Sequence, residues 1–375
     1  MKPVFRRAWL QVHLWLGLTF GALLLLVAIT GAILAWRPPL ERNLNSNLFI
    51  VTPGSVRLSA DELVQRARAA HPGVEVDSIR YFGDPTAAFQ VYFSDRNYLH
   101  LNPYSGAVLG LRARYGRGFG WVEGVHKFLQ VSYQPTGEAI MGTNALVFGT
   151  IILTGLVLAW PATARALRAL LQFNRRLSGR PWQLNLHKTF GIYAALVLLA
   201  SAATGLPISF DWAKNILYPL TGSQRIDPPR VTAPVPGFAG FTVMAAQLDQ
   251  AVPQASEHYI GAPKNGVVPS YAIGPDATHP NARSYLWLNS ATGGVLKSSP
   301  YAAAGTGFRL YFWMLSFHTG EVGGWPVRLI LLCGALVLPV LIVTGASSFL
   351  LRKLGSARRQ AAAERIAKPL RAESS

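Results

Sequence analysis

Four stretches of this chain, Val12–Trp36, Ala139–Pro161, Thr189–Phe210 and Leu329–Leu351, run without one charged side chain. Each reaches the roughly 20 residues an α-helix needs to cross a hydrocarbon core about 30 Å thick. Half of the 375 residues are hydrophobic and only 14% are charged, whereas soluble domains carry nearer a quarter. The first stretch is longer than the apolar core of a signal peptide, about 7–15 residues, and no small-residue cleavage site follows it. Its likeness to the third stretch also argues for a retained helix.

The net charge of +18 would suit a nucleic-acid surface, but its distribution excludes that class. Segments 1–9, 162–186 and 352–375 hold most of the excess, whereas 37–138 and 211–325 are nearly balanced. Short basic loops mark the cytoplasmic side of a membrane. Both termini and the 162–186 loop are therefore expected inside and the two long segments outside. The tail SARRQAAAERIAKPLRAE is expected to lie at an anionic lipid leaflet or in solvent as a topology determinant. The single cysteine, Cys333, excludes an intrachain disulfide and any cysteine-built cluster. It is expected to be a small packing residue.

The expected fold is an α-helical membrane protein with α+β extramembrane domains. Transmembrane helices are placed at 10–36, 139–161, 187–210 and 326–351, and external domains at 37–138 and 211–325. A basic loop (162–186) and a basic tail (352–375) complete the plan. In the first external domain, Ser59-Ala-Asp-Glu62 reads as a capping box before a helical pattern at Leu63, Ala67 and Ala70. Alternation over Ala88–Phe93 predicts a strand, Asp95–Asn97 a turn, and Tyr98 the start of a second strand.

The chain repeats itself. HLWLGLTFGALLLLVAITG from His13 aligns with HKTFGIYAALVLLASAATG from His187, pairing Gly17 with Gly191 and Thr30-Gly31 with Thr204-Gly205. YLHLNPYSGAVL from Tyr98 recurs as YLWLNSATGGVL from Tyr285. His126 and His318 precede the second and fourth apolar runs, which carry Thr154-Gly155 and Thr344-Gly345. Both halves read helix, domain, helix and enter from the same side. That is a parallel tandem repeat, with a pseudo-two-fold axis along the membrane normal.

Such an axis would bring His13 against His187 at the cytoplasmic face and His126 against His318 at the external face. Two imidazoles facing each other are the axial ligand set of a six-coordinate haem. The expectation is two bis-histidine haems b, one near each face, with His13, His187, His126 and His318 as iron ligands. Covalent attachment is excluded, because no C-x-x-C-H is present. His126 lies 28 residues before Thr154 and His318 lies 26 before Thr344, so a loop or short helix must absorb the difference. Thr30 lies about 26 Å beyond His13 along a helix, so Gly31 and Gly205 would serve the external haem. Gly155 and Gly345 would serve the cytoplasmic one. These glycines either admit a flat macrocycle or pack helices closely. His71, His100, His258 and His279 are expected at the surface or in turns.

An α+β module closing on N-x-x-[ST]-G-x-V-L, as at Asn102 and Asn289, and set between H-x-x-x-G…T-G helices, resembles a PepSY domain. The whole chain over about residues 5–352 resembles the PepSY-associated transmembrane family of bacterial inner-membrane proteins. In layout it is similar to ferrioxamine-type siderophore reductases of that family. The second domain departs from the pattern, since Thr242–Tyr271 shows no capping box. The resemblance implies an inner-membrane location, periplasmic domains, and a ferric siderophore as electron acceptor outside the membrane. Reduction to Fe(II) weakens hard-oxygen chelation and releases the metal. No nucleotide fingerprint is present, so the donor would be a membrane quinol or a separate reductase. A substrate site over the external haem would draw on Arg112, Arg114, Arg117, Trp121, Arg309 and Trp313. The alternative role for these residues is an aromatic belt with snorkelling arginines. A competing function is a non-enzymatic membrane anchor that binds a periplasmic partner. A permease is disfavoured by four helices that lack buried charge.

Overall fold

The computed structural model describes residues 3–232 and 236–372. Met1, Lys2 and the last three residues of the basic tail lie outside this range. Among the described residues four helices are long and apolar enough to cross a membrane. They belong to α1 (Pro3–Ala35), α6 (Gln134–Ala159), α8 (Gly179–Ser209) and α13 (Gly324–Ala372). Each contains its apolar run or nearly so, and most extend well past it. An α-helix satisfies its own backbone amides in lipid and in water alike, so the edge of the hydrophobic stretch does not end it. Turn chemistry does. Pro161 follows α6, and α8 begins at Gly179, whose φ is +58°.

The chain divides into two compact units. The first comprises residues 1–32, 140–205 and 329–375. Its core joins Ala28, Ala194, Leu198 and Leu338, flanked by Phe148, Ile152 and Leu341. Small side chains at these contacts let helix backbones approach, the usual substitute for hydrophobic drive inside a bilayer. Leucines and valines such as Leu196, Leu336 and Val343 face outward, as lipid requires. Cys333 is also exposed. It faces outward and does not fill a packing site, because α13 turns it away from its neighbours. The basic loop is folded: Thr163 caps α7 (Ala164–Leu170) by accepting from the Ala166 amide at 3.1 Å. Thr189 and Tyr193 of α8 then donate to the Leu170 and Leu171 carbonyls at 2.9 and 2.7 Å.

The second unit, residues 33–139 and 206–328, is built on one antiparallel sheet. Its strands are β1 (Val76–Phe82), β2 (Phe89–Phe93), β3 (Asn97–Leu101), β4 (Val108–Ala113), β5 (Glu257–Gly261), β6 (Val267–Ile273), β7 (Arg283–Asn289) and β8 (Val295–Ser299). They lie in the order β4-β3-β2-β1-β5-β6-β7-β8. The two long external segments thus do not stand as separate domains. They meet where β1 pairs with β5, with Ile79 opposite Ile260.

Alternation gives this sheet two chemically different faces. Ile79, Val91, Leu99, Ile260, Val268 and Leu286 point to one side. There α4 (Ala60–Ala70) and α11 (Phe241–Ala251) cover them with Leu63, Ala67, Met244 and Leu248. Ser59 caps α4 as its sequence predicts, accepting from the Glu62 amide at 3.2 Å. The missing cap of α11 comes from the other segment. Asp61 of α4 accepts from the Phe241 and Thr242 amides at 2.7 and 3.1 Å, and its own amide donates to Thr242 Oγ1 at 3.0 Å. Gly240 is required beside it: its φ is +101°, and a Cβ there would sit 2.7 Å from an Asp61 oxygen.

The opposite face is aromatic and basic. Tyr92 stacks on Tyr98, and Tyr259 on Tyr271. The guanidinium of Arg112 lies over Tyr98, and that of Arg283 over Tyr271 and Phe312. On this side α12 (Thr306–His318) packs Phe308 and Phe312 against Tyr285. Phe49 of α3 (Ser46–Phe49) packs against His100.

Candidate functional site

Within the membrane unit, His13 on α1 and His187 on α8 face each other with ring centroids 6.0 Å apart and planes at 90°. Each imidazole is held by the same device. His13 Nδ1 donates to the Ile151 carbonyl at 3.0 Å and lies 3.1 Å from Thr154 Oγ1 on α6. His187 Nδ1 donates to the Leu341 carbonyl at 2.9 Å and lies 3.2 Å from Thr344 Oγ1 on α13. Thr154 and Thr344 give their own protons to carbonyls one turn back, so each hydroxyl oxygen is an acceptor for the histidine. A carbonyl cannot donate, so Nδ1 must carry the proton. Nε2 is then left with its lone pair, the tautomer of a metal-binding histidine with a hydrogen-bonded outer nitrogen.

The glycine after each threonine makes the approach possible. A Cβ on Gly155 would stand 3.0 Å from His13 Cε1, and one on Gly345 would stand 3.2 Å from His187 Cε1. These two glycines therefore admit the imidazole itself. Thr30 and Thr204, which precede Gly31 and Gly205 on α1 and α8, are buried and donate to carbonyls of their own helices.

Within the second unit, His126 and His318 face each other with centroids 6.3 Å apart and planes at 48°. They do not sit on the membrane-length helices. His126 lies in α5 (Phe119–Phe128), and His318 is the last residue of α12. The two-residue difference in spacing is absorbed between these short helices and the spans. After α5 the chain turns through Leu129 and Gln130, both at positive φ, and after α12 through Gly320, Gly323 and Gly324.

The two short helices are clamped differently. Glu123, one turn before His126, meets Arg37 at 2.6 Å, Lys127 at 3.7 Å and Arg114 at 3.9 Å. Burial alone would raise the Glu123 carboxyl; Lys127, Arg37 and Arg114 outweigh it and hold it below its usual range. Arg37 also meets Glu41 of α2 (Arg37–Leu44), which in turn holds Arg112 at 3.0 Å. On α12 the fixing group is Ser316, fully buried two residues before His318. Asn281 donates to Ser316 Oγ at 2.9 Å and to Glu321 at 2.8 Å. His279 joins Ser316 through Nδ1 at 2.9 Å and Tyr301 through Nε2 at 2.7 Å.

Of the four histidines expected at the surface or in turns, His100 and His258 are buried on strands, and His279 lies in the turn between β6 and β7 but is also buried. His100 is wholly buried between Phe49 and Tyr98, and burial together with Arg112 lowers its pKa to about 4. His258 stacks on Tyr81 and lies 3.0 Å from Asp249. His279 is buried in the Ser316 cluster. Only His71, 2.7 Å from Asp95, is partly exposed. The sheet supplies the covering that a single chain segment does not reveal.

Of the arginines and tryptophans expected to line a substrate site, Arg112 is withdrawn into the Glu41 pair and the Tyr98 ring. Arg114, Arg117 and Arg309 are exposed, and Trp121 and Trp313 are half-exposed. The Ser316 cluster has no counterpart among the sequence expectations. Its members are distant in the chain and of ordinary type, so no spacing signals it. The threonines were signalled, by their invariant place before glycine in all four helices.

Both pairs stand at a separation that would suit two imidazoles holding one haem iron. Two imidazoles sharing one metal at about 2.0–2.1 Å put their ring centroids roughly 6.3 Å apart. The observed separations are 6.0 and 6.3 Å. Among the described residues no group of three or more His, Cys, Asp or Glu is arranged to hold a metal ion. Two protein donors are too few for a structural zinc site but suffice where a macrocycle supplies the rest.

Comparison with functionally curated proteins returns no match. Residues 10–352 match the profile of the PepSY-associated TM region. Since that match takes in all four membrane-length helices and the whole sheet, the chain belongs to the PepSY-associated transmembrane family.

Proposed function

We propose that this membrane protein is a di-haem b-type oxidoreductase that passes electrons from the cytoplasmic side or the quinol pool to a periplasmic ferric siderophore. One haem b would be held by His13 and His187, the other by His126 and His318. The observation that carries the reading is the pair of imidazole separations, each matching one shared metal, together with the Nδ1 bonds that leave His13 and His187 Nε2 available. Bound haem supplies one-electron chemistry, and the protein sets its position and potential.

The residues contribute orientation and dielectric. Thr154 and Thr344, with the Ile151 and Leu341 carbonyls, orient the inner imidazoles and raise their basicity. The Glu123 and Ser316 clusters orient the short helices that carry the outer pair. The acceptor rests on resemblance: a ferric chelate that takes one electron becomes ferrous, and hard oxygen donors then hold it less tightly.

The matched His–carbonyl–Thr–Gly contacts and the strand order about β1–β5 support a tandem duplication. Basic short segments support cytoplasmic termini in a bacterial inner membrane, with the sheet in the periplasm.

The test is spectroscopic. Protein purified from haem-replete cells should show a Soret band and a sharp reduced α-band. His13→Ala and His318→Ala should each remove about one haem equivalent while the other persists. Colourless protein, or loss of neither signal, would leave the anchor function in its place.

A further inference from the structure

Two short helical stretches in the second unit leave large apolar side chains uncovered. On α2, Glu41 is buried at 6% exposure, while Leu40 and Leu44 stand 42% and 72% exposed. A water-facing helix does the reverse, burying leucine and exposing carboxylate. The stretch α9 (Asp211–Asn215) and α10 (Leu217–Leu220) behaves likewise. It is one helical run, because Ile216 between them is itself helical at φ −66°, ψ −20°. Ala213, Leu217 and Tyr218 are buried, and Tyr218 packs with Phe308 and Phe312 of α12. On the other side Trp212, Ile216 and Leu220 are 55%, 47% and 73% exposed. Four-residue spacing puts these three on one narrow stripe. The run is thus apolar on both sides, with protein against only one.

Chain position names the cover. Only Trp36 separates α1 from α2, and only Phe210 separates α8 from α9. Both helices start within one residue of a membrane-length helix, at corresponding places in the two halves. We infer that α2 and the α9–α10 run lie in the plane of the membrane surface, with Leu40/Leu44 and Trp212/Ile216/Leu220 inserted into the lipid leaflet. An indole half-exposed at such a level suits the headgroup boundary, and a narrow apolar stripe with few charges suits shallow insertion. Thr221 and Ser223, just past α10, close on the N-terminal turn of α12, where Ser223 Oγ accepts from the Gly307 amide at 2.9 Å. These bonds tie the α9–α10 run to the start of α12.

This inference goes beyond the proposed redox function and does not require a cofactor. The full-length protein, with Cys333→Ala, is reconstituted at one copy per phospholipid nanodisc. Nitroxides are placed by Leu44→Cys and Ile216→Cys, with Lys264→Cys at an exposed turn as control. Power saturation should show oxygen accessibility several-fold above that of a water-soluble nickel chelate at 44 and 216, and the reverse at 264. A second measurement is dibromolipid quenching of wild-type protein and Trp212→Phe. The fluorescence component missing from the variant should fall to less than half in brominated bilayers. A water-like ratio at 44 and 216, or low access to both agents because protein covers the stripe, overturns the inference. So does an unquenched Trp212.

Discussion

Thr154→Val removes one acceptor from His13, together with the hydroxyl's own bond to carbonyls of its helix, while valine keeps the shape of threonine. His13 Nδ1 shares its proton between the Ile151 carbonyl at 3.0 Å and Thr154 Oγ1 at 3.1 Å. The substitution leaves the carbonyl branch. A hydrogen bond of this kind contributes about 0.5–1.5 kcal/mol, and losing the longer of two branches should cost the lower part of that range, about 0.5–1 kcal/mol. An acceptor on Nδ1–H makes the imidazole a stronger donor through Nε2, which in the proposed haem site would favour the ferric over the ferrous state. Its loss should therefore raise the potential. With 59 mV per tenfold change for one electron, the shift is about +20 to +40 mV. Thr344→Val should do the same, because His187 meets Leu341 and Thr344 with nearly the same geometry. Spectroelectrochemical titration reads this directly. Only the component lost in His13→Ala should move, and Thr154→Val/Thr344→Val should move it further than either alone. A negative shift, no shift, or a shift confined to the component lost in His318→Ala would refute the assignment of these threonines.

Burial holds the His100 pKa near 4, against about 6.5 when unfolded. The neutral imidazole's contribution is whole above pH 6.5 and is lost as pH falls toward 4, at about 1.4 kcal/mol per unit. The stability gap between wild type and His100→Gln, followed by thermal unfolding in detergent, should shrink by roughly 2 kcal/mol between pH 6.5 and 5; a pH-independent gap contradicts it. Asp61→Ala strips two amide bonds from the start of α11 and should lower stability by about 1–2 kcal/mol, whereas Glu62→Ala, whose side chain pairs with Arg66 at the surface, should cost less than half as much. Ser316→Ala leaves buried Asn281 and His279 short of a partner, a loss of about 1–3 kcal/mol. On the proposed function it should also alter the ferric low-spin EPR signal of the His126/His318 component and not that of the His13/His187 component.

The membrane helices and the meeting of the two histidine pairs were legible because lipid allows few solutions. An uncharged run of this length has one regular structure available, and a histidine repeated at its end has a mate. The Thr–Gly pairs were visible too, read as macrocycle access or as close packing of helices, and at Gly155 and Gly345 the close approach is to a histidine ring. Gly155 accommodates the imidazole of a neighbouring helix, a contact that no spacing within one helix reveals. The capping box at Ser59 was local and could be read, whereas the cap of α11 comes from Asp61, some 180 residues away in the chain. The same distance hid the β1–β5 pairing, so one sheet was taken for two domains. His100 and His258 were misplaced for a related reason: polarity predicts the surface unless a partner or an aromatic cage is seen to cover the group.

Each facing pair of imidazoles takes one ring from either side of the 162–186 loop. Residues before it supply His13 and His126, and residues after it supply His187 and His318. Neither side owns a finished site. A chain cut in this loop would leave two fragments, neither of which holds a facing pair, and on the proposed function any haem absorbance regained on mixing would count the fragments that had found each other.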